Sequence, residues 1–233
     1  MRESIGWRLT ERAPGEFDLR RAERIAESAE RHGLQVVWTL MHYGTPADVD
    51  LFDDALIPRF VAFAEAVARR LGRVSGPAPI YNLINEIGFV AWTASATNSM
   101  HPYRCQPSGG NSDDSDIDSE HSSLSGYTVK RRLVRAVLAA MAAVRRIDPR
   151  ARFLHVEPEV HVVAPPGRPD LEAEAQCVAA YQWQAWDMIA GRAKPELGGC
   201  TRALDLVGVN HHHSSQWELQ TESRLRWHEH DPR

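Results

Sequence analysis

The chain has 233 residues, 43% of them hydrophobic, enough to bury a sizeable core and to exclude a disordered chain. A formal net charge of -4 and a pI near 6.3 give no electrostatic ground for nucleic acid or an anionic membrane as partner, so a neutral substrate fits better. Cys105, Cys177 and Cys200 are odd in number and widely spaced, which suits neither a disulfide framework nor a zinc site of close paired ligands. A reducing cytoplasm is the default location on that count. No apolar run approaches the ~20 residues needed to cross a bilayer, and no basic segment leads into a hydrophobic stretch at the start. The two lysines, Lys130 and Lys194, leave the cationic surface almost wholly to arginine, and no mechanism is read from this.

In chain order, Ser4 to Trp7 reads as a short strand, and the turn-rich Ala13-Pro14-Gly15 follows. A helix is predicted from about Asp18 to His32, with Leu19, Ala22, Ile25, Ala26 and Ala29 on one face and Gly33 as its stop. Leu34 to Leu40 is a β-rich apolar run, and Phe60, Phe63, Ala64, Val67 and Leu71 form the stripe of a helix ending near Gly72. Pro79 to Asn85 gives a third strand. Leu133, Val137, Met141, Val144 and Ile147 mark a helix that Asp148-Pro149 stops. Arg152 to Val156 is a strand, Leu171 to Ala190 a helix, and Leu204 to Asn210 the last strand.

Near-continuous apolar strands alternating with amphipathic helices indicate parallel βα units. No Gly-rich phosphate loop follows a strand, which favours a closed barrel over a dinucleotide-binding sheet. Residues 106–125, rich in Ser, Gly and Asp, read as a flexible surface insertion. Its acidic residues, Asp113 to Glu120, lack the spacing of a calcium loop. The domain expectation is one barrel domain over 1–233.

Three of these strands end in polar and aromatic clusters: His42-Tyr43-Gly44-Thr45-Pro46, Asn85-Glu86, and Asn210 followed by His211, His212 and His213. Barrel enzymes keep their chemistry at strand C-terminal ends. As an isolated pair, Asn85-Glu86 would equally well begin a loop or cap a helix, so it is the recurrence at other strand ends that marks a site. Three consecutive histidines also raise a metal reading, but along a strand they alternate sides and cannot all converge on one ion.

Taken in order, Arg2-Glu3-Ser4-Ile5-Gly6-Trp7, His42-Tyr43-Gly44-Thr45-Pro46, Asn85-Glu86 and Asp205-Leu206-Val207-Gly208-Val209-Asn210 resemble the second, third, fourth and sixth strands of family 1, β-glucosidase-like glycoside hydrolases. These belong to the (β/α)8 clan with an acid/base glutamate after strand four. The resemblance implies a TIM-barrel glycosidase fold, here partial and covering about strands two to six. It implies a carbohydrate substrate, no cofactor and no metal. Glu86 takes the place of the general acid/base. Arg2, His42, Asn85, Asn210 and His212 are the implied substrate-binding or site-shaping residues. His212 departs from the family's usual tyrosine.

Among the tryptophans, Trp92 and Trp217 follow strand ends and are candidates for a sugar platform, while Trp183 and Trp186, three apart on a helix, are expected in the core. A (β/α)8 barrel takes about 250 residues and eight strands, and five strands are read here. The resemblance therefore implies a first strand before Met1 and a seventh, carrying the nucleophile, after Arg233. Glu157, Glu159 and Glu218 stand in no nucleophile motif, and none is assigned. A non-catalytic carbohydrate-binding or scaffold remnant is the alternative reading. The oligomeric state is not legible.

Overall fold

The computed structural model describes residues 1–74, 78–96, 126–221 and 223–225. The expected insertion at 106–125 and Cys105 lie outside the described residues.

The elements in order are β1 (Arg2–Ser4), α1 (Trp7–Thr10), β2 (Glu11–Ala13), β3 (Glu16–Phe17), α2 (Arg20–Arg31), β4 (Val37–Met41), α3 (Leu56–Leu71), β5 (Ile80–Ile84), α4 (Ile87–Ala96), α5 (Gly126–Ile147), β6 (Arg152–Pro158), β7 (His161–Val163), α6 (Glu172–Ala180), α7 (Gln184–Ile189), β8 (Leu206–Asn210) and β9 (Gln216–Glu218). β1, β4, β5, β6 and β8 form one sheet in that order, every neighbouring pair parallel. It curls into a half-barrel, with helices in the crossovers as parallel pairing requires. Because all five strands run the same way, their C-terminal ends share one rim.

The predicted apolar stripes are buried. These are Leu19, just before α2, with Ala22, Ala26 and Ala29 on it, Phe60, Phe63, Ala64, Val67 and Leu71 on α3, and Leu133, Val137, Met141 and Val144 on α5, while Ile25 and Ile147 are only partly buried. They meet Trp38, Leu40, Tyr81, Leu83 and Phe153 of the strands in one continuous core. Each such large side chain, fully buried, contributes roughly 1.5 to 3 kcal/mol. Trp7 anchors the open end of that core. Its ring stacks on Phe63 at 5.8 Å, and its Nε1–H donates to Glu11 Oε2 at 2.7 Å. Glu11, itself buried, is held by Arg59 Nε at 3.1 Å.

Three expectations need correction. The first strand is Arg2–Ser4, not Ser4 to Trp7. Gly6 turns the chain at φ 75, a conformation that costs glycine little, and drops Trp7 into a helical turn. The helix expected from Leu171 to Ala190 is broken by a 3-10 turn at Tyr181–Trp183. That break leaves Trp183 half exposed, whereas Trp186 is buried as expected. Lastly, α4 carries no amphipathic period, because it is apolar on most sides, so a periodicity reading passes over it.

The short pair β7 and β9 and the helix α6 enclose a second, small cluster of Val162, Leu171, Ala175 and Leu219. Cys177 and Cys200 are exposed free thiols. No helix among the described residues is long and apolar enough to cross a membrane.

Candidate active site

The residues just past β5 remain stitched to both neighbouring strands. The Asn85 amide donates to Met41 O of β4 at 3.0 Å, and the Glu86 amide donates to Val156 O of β6 at 2.9 Å. α4 starts immediately afterwards, its first turn closing through Val90 N–H on Glu86 O at 2.9 Å. Between strand and helix Glu86 adopts φ 52, and Tyr43, beyond β4, adopts φ 55. Neither is glycine, so each carries a cost of order 1 to 3 kcal/mol that the surrounding bonds must offset. Such strain collects at functional sites.

Side chains from four strands converge here, Arg2 from the start of β1 and the others from the C-terminal ends of β4, β5 and β8. Asn85 is fully buried and Glu86 is 3% exposed. Arg2 Nη1, from β1, lies 3.4 Å from Asn85 Oδ1 and 3.3 Å from Asn210 Oδ1. Asn210, closing β8, donates through Nδ2 to Glu86 Oε1 at 2.5 Å and to Asn85 Oδ1 at 3.3 Å. The Tyr43 hydroxyl donates to Glu86 Oε2 and accepts from Asn85 Nδ2 at 3.1 Å. His212 Nε2 stands 3.6 Å from Glu86 Oε1 with an exposed ring. Hydrogen bonds to a charged group contribute about 1.5 to 3 kcal/mol each, so the two donors on Glu86 hold its carboxyl in a defined place.

Charge in this group is tuned by neighbours. Desolvation and then the Arg2 charge hold the His42 ring below the ordinary histidine range, against the opposing pull of Glu86. The Tyr43 phenol is pushed well up, first by burial and then by its bond to Glu86, so it stays protonated and remains a donor. Tyr43 stands inside the His42-Tyr43-Gly44 run but is not among the site residues the sequence points to. Neither its contact with Glu86 nor its left-handed backbone has a signature in the sequence.

Of the sequence candidates, Asn210 and His212 approach the Glu86 carboxyl, and Arg2 and Asn85 join the same group through Asn210 and Tyr43. His42 packs edge-on against Tyr43, their ring centroids 4.7 Å apart. Trp92, on α4, is 56% exposed and continues a file of rings, 5.8 Å from Phe89, which lies 5.2 Å from Tyr43. Trp217 belongs elsewhere: it packs on the small cluster around Val162 and Leu171, with the Arg224 guanidinium 5.5 Å over its ring. The successive histidines diverge, His211 pairing with Glu159 at 3.2 Å while His212 faces Glu86.

The remaining strand-end carboxyls are engaged separately. Glu218 accepts from Thr221 Oγ1 at 3.1 Å. Glu157 is 2% exposed and accepts the Gly88 amide at 2.9 Å. Burial pushes its carboxyl up to about 8, the Gly88 bond, the Lys130 charge and the Ile87 amide opposing, and nearby Glu86 adding to the rise.

No protein-family model and no curated protein matches the sequence. Solved structures match by shape. The AHE enzyme from Alicyclobacillus herbarius superposes with a TM-score of 0.69 at 14% identity, over 97% of this chain and 54% of that one. The β-glycosidase from Pyrococcus horikoshii gives 0.67 at 16% identity, over 90% of this chain and 47% of its own. The β-glucosidase from Thermotoga maritima, in complex with deoxynojirimycin, gives 0.66 at 13%, over 94% and 51%. The chain spans about half the length of these structures. Likeness at this identity establishes architecture alone, and the five parallel strands have the fold of part of a TIM barrel.

Proposed function

We propose that the Glu86 cluster is the acid/base half of a retaining, β-glucosidase-type glycoside hydrolase site. The observation that carries this reading is convergence: Tyr43, Asn210 and His212 meet at one buried carboxyl, and Arg2 and Asn85 join the same group through Asn210 and Tyr43. Glycosidic cleavage needs a proton delivered to the departing oxygen, and a carboxyl held in one place by Tyr43 and Asn210 is a candidate for that part. Asn85 and Asn210 offer amides to sugar hydroxyls, His42 offers an imidazole, and Trp92 offers an exposed ring face for stacking. Retention also needs a second carboxyl about 5 to 5.5 Å from the first. None of Glu157, Glu159 and Glu218 is assigned that part.

A non-catalytic carbohydrate-binding role is the second reading. It is favoured by the occupation of both Glu86 oxygens, by Tyr43 and Asn210, which a proton donor must give up in part. Both readings place a sugar ring against Glu86. Calorimetric titration of deoxynojirimycin, the compound held by the Thermotoga maritima β-glucosidase, tests them together. Binding by the unaltered chain, lowered at least about tenfold (~1.4 kcal/mol) in Glu86→Gln and Asn85→Ala with melting temperature retained, is the expected result. Equal affinity in all three proteins, or none in any, would remove the sugar site. Hydrolysis of aryl β-glucosides that Glu86→Gln abolishes would decide for catalysis over simple binding.

A further inference from the structure

Glu157 is a buried carboxyl to which the proposed chemistry gives no part, yet it binds the Gly88 amide two residues after Glu86. Two amides past the end of β5, those of Glu86 and Gly88, donate to β6. The Glu86 amide meets Val156 O at 2.9 Å, and the Gly88 amide meets Glu157 Oε2 at 2.9 Å. This carboxyl thus caps the first turn of α4 from a neighbouring strand, where helix amides lack partners of their own. Gly88 is what permits the approach: a Cβ there would stand 2.8 Å from Glu157 Oε2. The groups that face Glu157 from the surrounding elements are Lys130 of α5, Glu86 beyond β5 and Tyr43 beyond β4. Lys130 is itself buried and donates to Gln184 Oε1 at 2.5 Å.

We propose that Glu157 is a positioning residue for Glu86: through the Gly88 amide, in the first turn of α4, it fixes the left-handed turn that aims the Glu86 carboxyl at the rim, and its charge is felt at that carboxyl. The two linkages are distinct. One is mechanical, because releasing the Gly88 amide loosens the turn that holds Glu86 between β5 and α4. The other is electrostatic, because two nearby carboxyls disfavour a double negative charge. Glu157 holds its proton near neutral pH and loses it near pH 8. Ionisation there adds repulsion beside Glu86 and strengthens the cap on α4.

Its catalytic meaning rests on the reading of Glu86 as the acid/base, but the experiment needs no turnover and so fails separately from that reading. The whole chain is labelled with 13C at the glutamate side-chain carboxyls, and Glu86 and Glu157 are assigned from the Gln variants at each position. Titration from about pH 5 to about pH 10 then follows both signals. The expected result is an alkaline inflection in the Glu86 signal that coincides with the titration of Glu157 and is lost in Glu157→Gln. A Glu86 signal with the same titration in both proteins would overturn the proposal, since a residue of purely structural role would leave it unmoved. Should Glu157→Gln fail to fold, Lys130→Met serves. Loss of that positive charge raises the Glu157 midpoint, the Glu86 inflection must rise with it, and an inflection that stays in place overturns the proposal.

Discussion

Replacing Glu157 by glutamine should change how stability depends on pH, with a sign and size set by its burial. The folded carboxyl titrates at about 8 against an ordinary 4.5. Below pH 4.5 it is protonated in both the folded and unfolded chain and contributes nothing to the pH dependence. Between 4.5 and about 8 the unfolded chain releases the proton while the folded chain keeps it, so stability falls as pH rises; above about 8 the loss is constant. The interval of roughly 3.5 pH units corresponds to ~5 kcal/mol at ~1.4 kcal/mol per unit. Relaxation and water entry lower such penalties in real interiors, and ~2 to 3 kcal/mol is the expected size.

Buried His155 works in the opposite direction. Burial lowers its ring to about 4, so its contribution falls away as pH drops from 6.5 towards 4. It is present in both proteins and cancels when they are compared. Urea denaturation of wild type and Glu157→Gln across this range should therefore show wild type losing ~2 to 3 kcal/mol relative to the variant between about pH 4.5 and about pH 8. In melting temperature that is ~4 to 12 °C for a chain of this size. A difference that does not vary with pH would refute the burial argument.

Two further outcomes are expected. Tyr43→Phe removes the donor to Glu86 Oε2 and the acceptor of Asn85 Nδ2, and should weaken deoxynojirimycin binding by ~1 to 3 kcal/mol in calorimetry while the melt shifts little, since the ring still packs on Phe89. Phe63→Ala opens a cavity under the Trp7 ring, and should cost ~3 to 5 kcal/mol in urea denaturation yet leave the affinity of the folded protein unchanged.

The alternation of apolar strands and striped helices was enough to predict five parallel strands. The burial of Phe60, Phe63, Val67 and Leu71 along α3 follows directly from their helical spacing. Asn85, Glu86 and Asn210 were legible as a site because strand C-terminal ends lie on one rim whatever the loops do. Other features depended on contacts between distant residues, which periodicity does not encode. α4 is apolar on most sides and has no phase to read. The break at Tyr181–Trp183 exposes one tryptophan of a pair whose spacing alone would bury both. Trp217, placed near the rim by its position after a strand, is drawn into the Val162 cluster by a three-residue pairing of β7 with β9. Tyr43 and Glu157 reach Glu86 and its helix from 43 residues upstream and, at Gly88, 69 residues downstream. Only folding brings such groups within hydrogen-bonding range, and burial then sets the charge each of them carries.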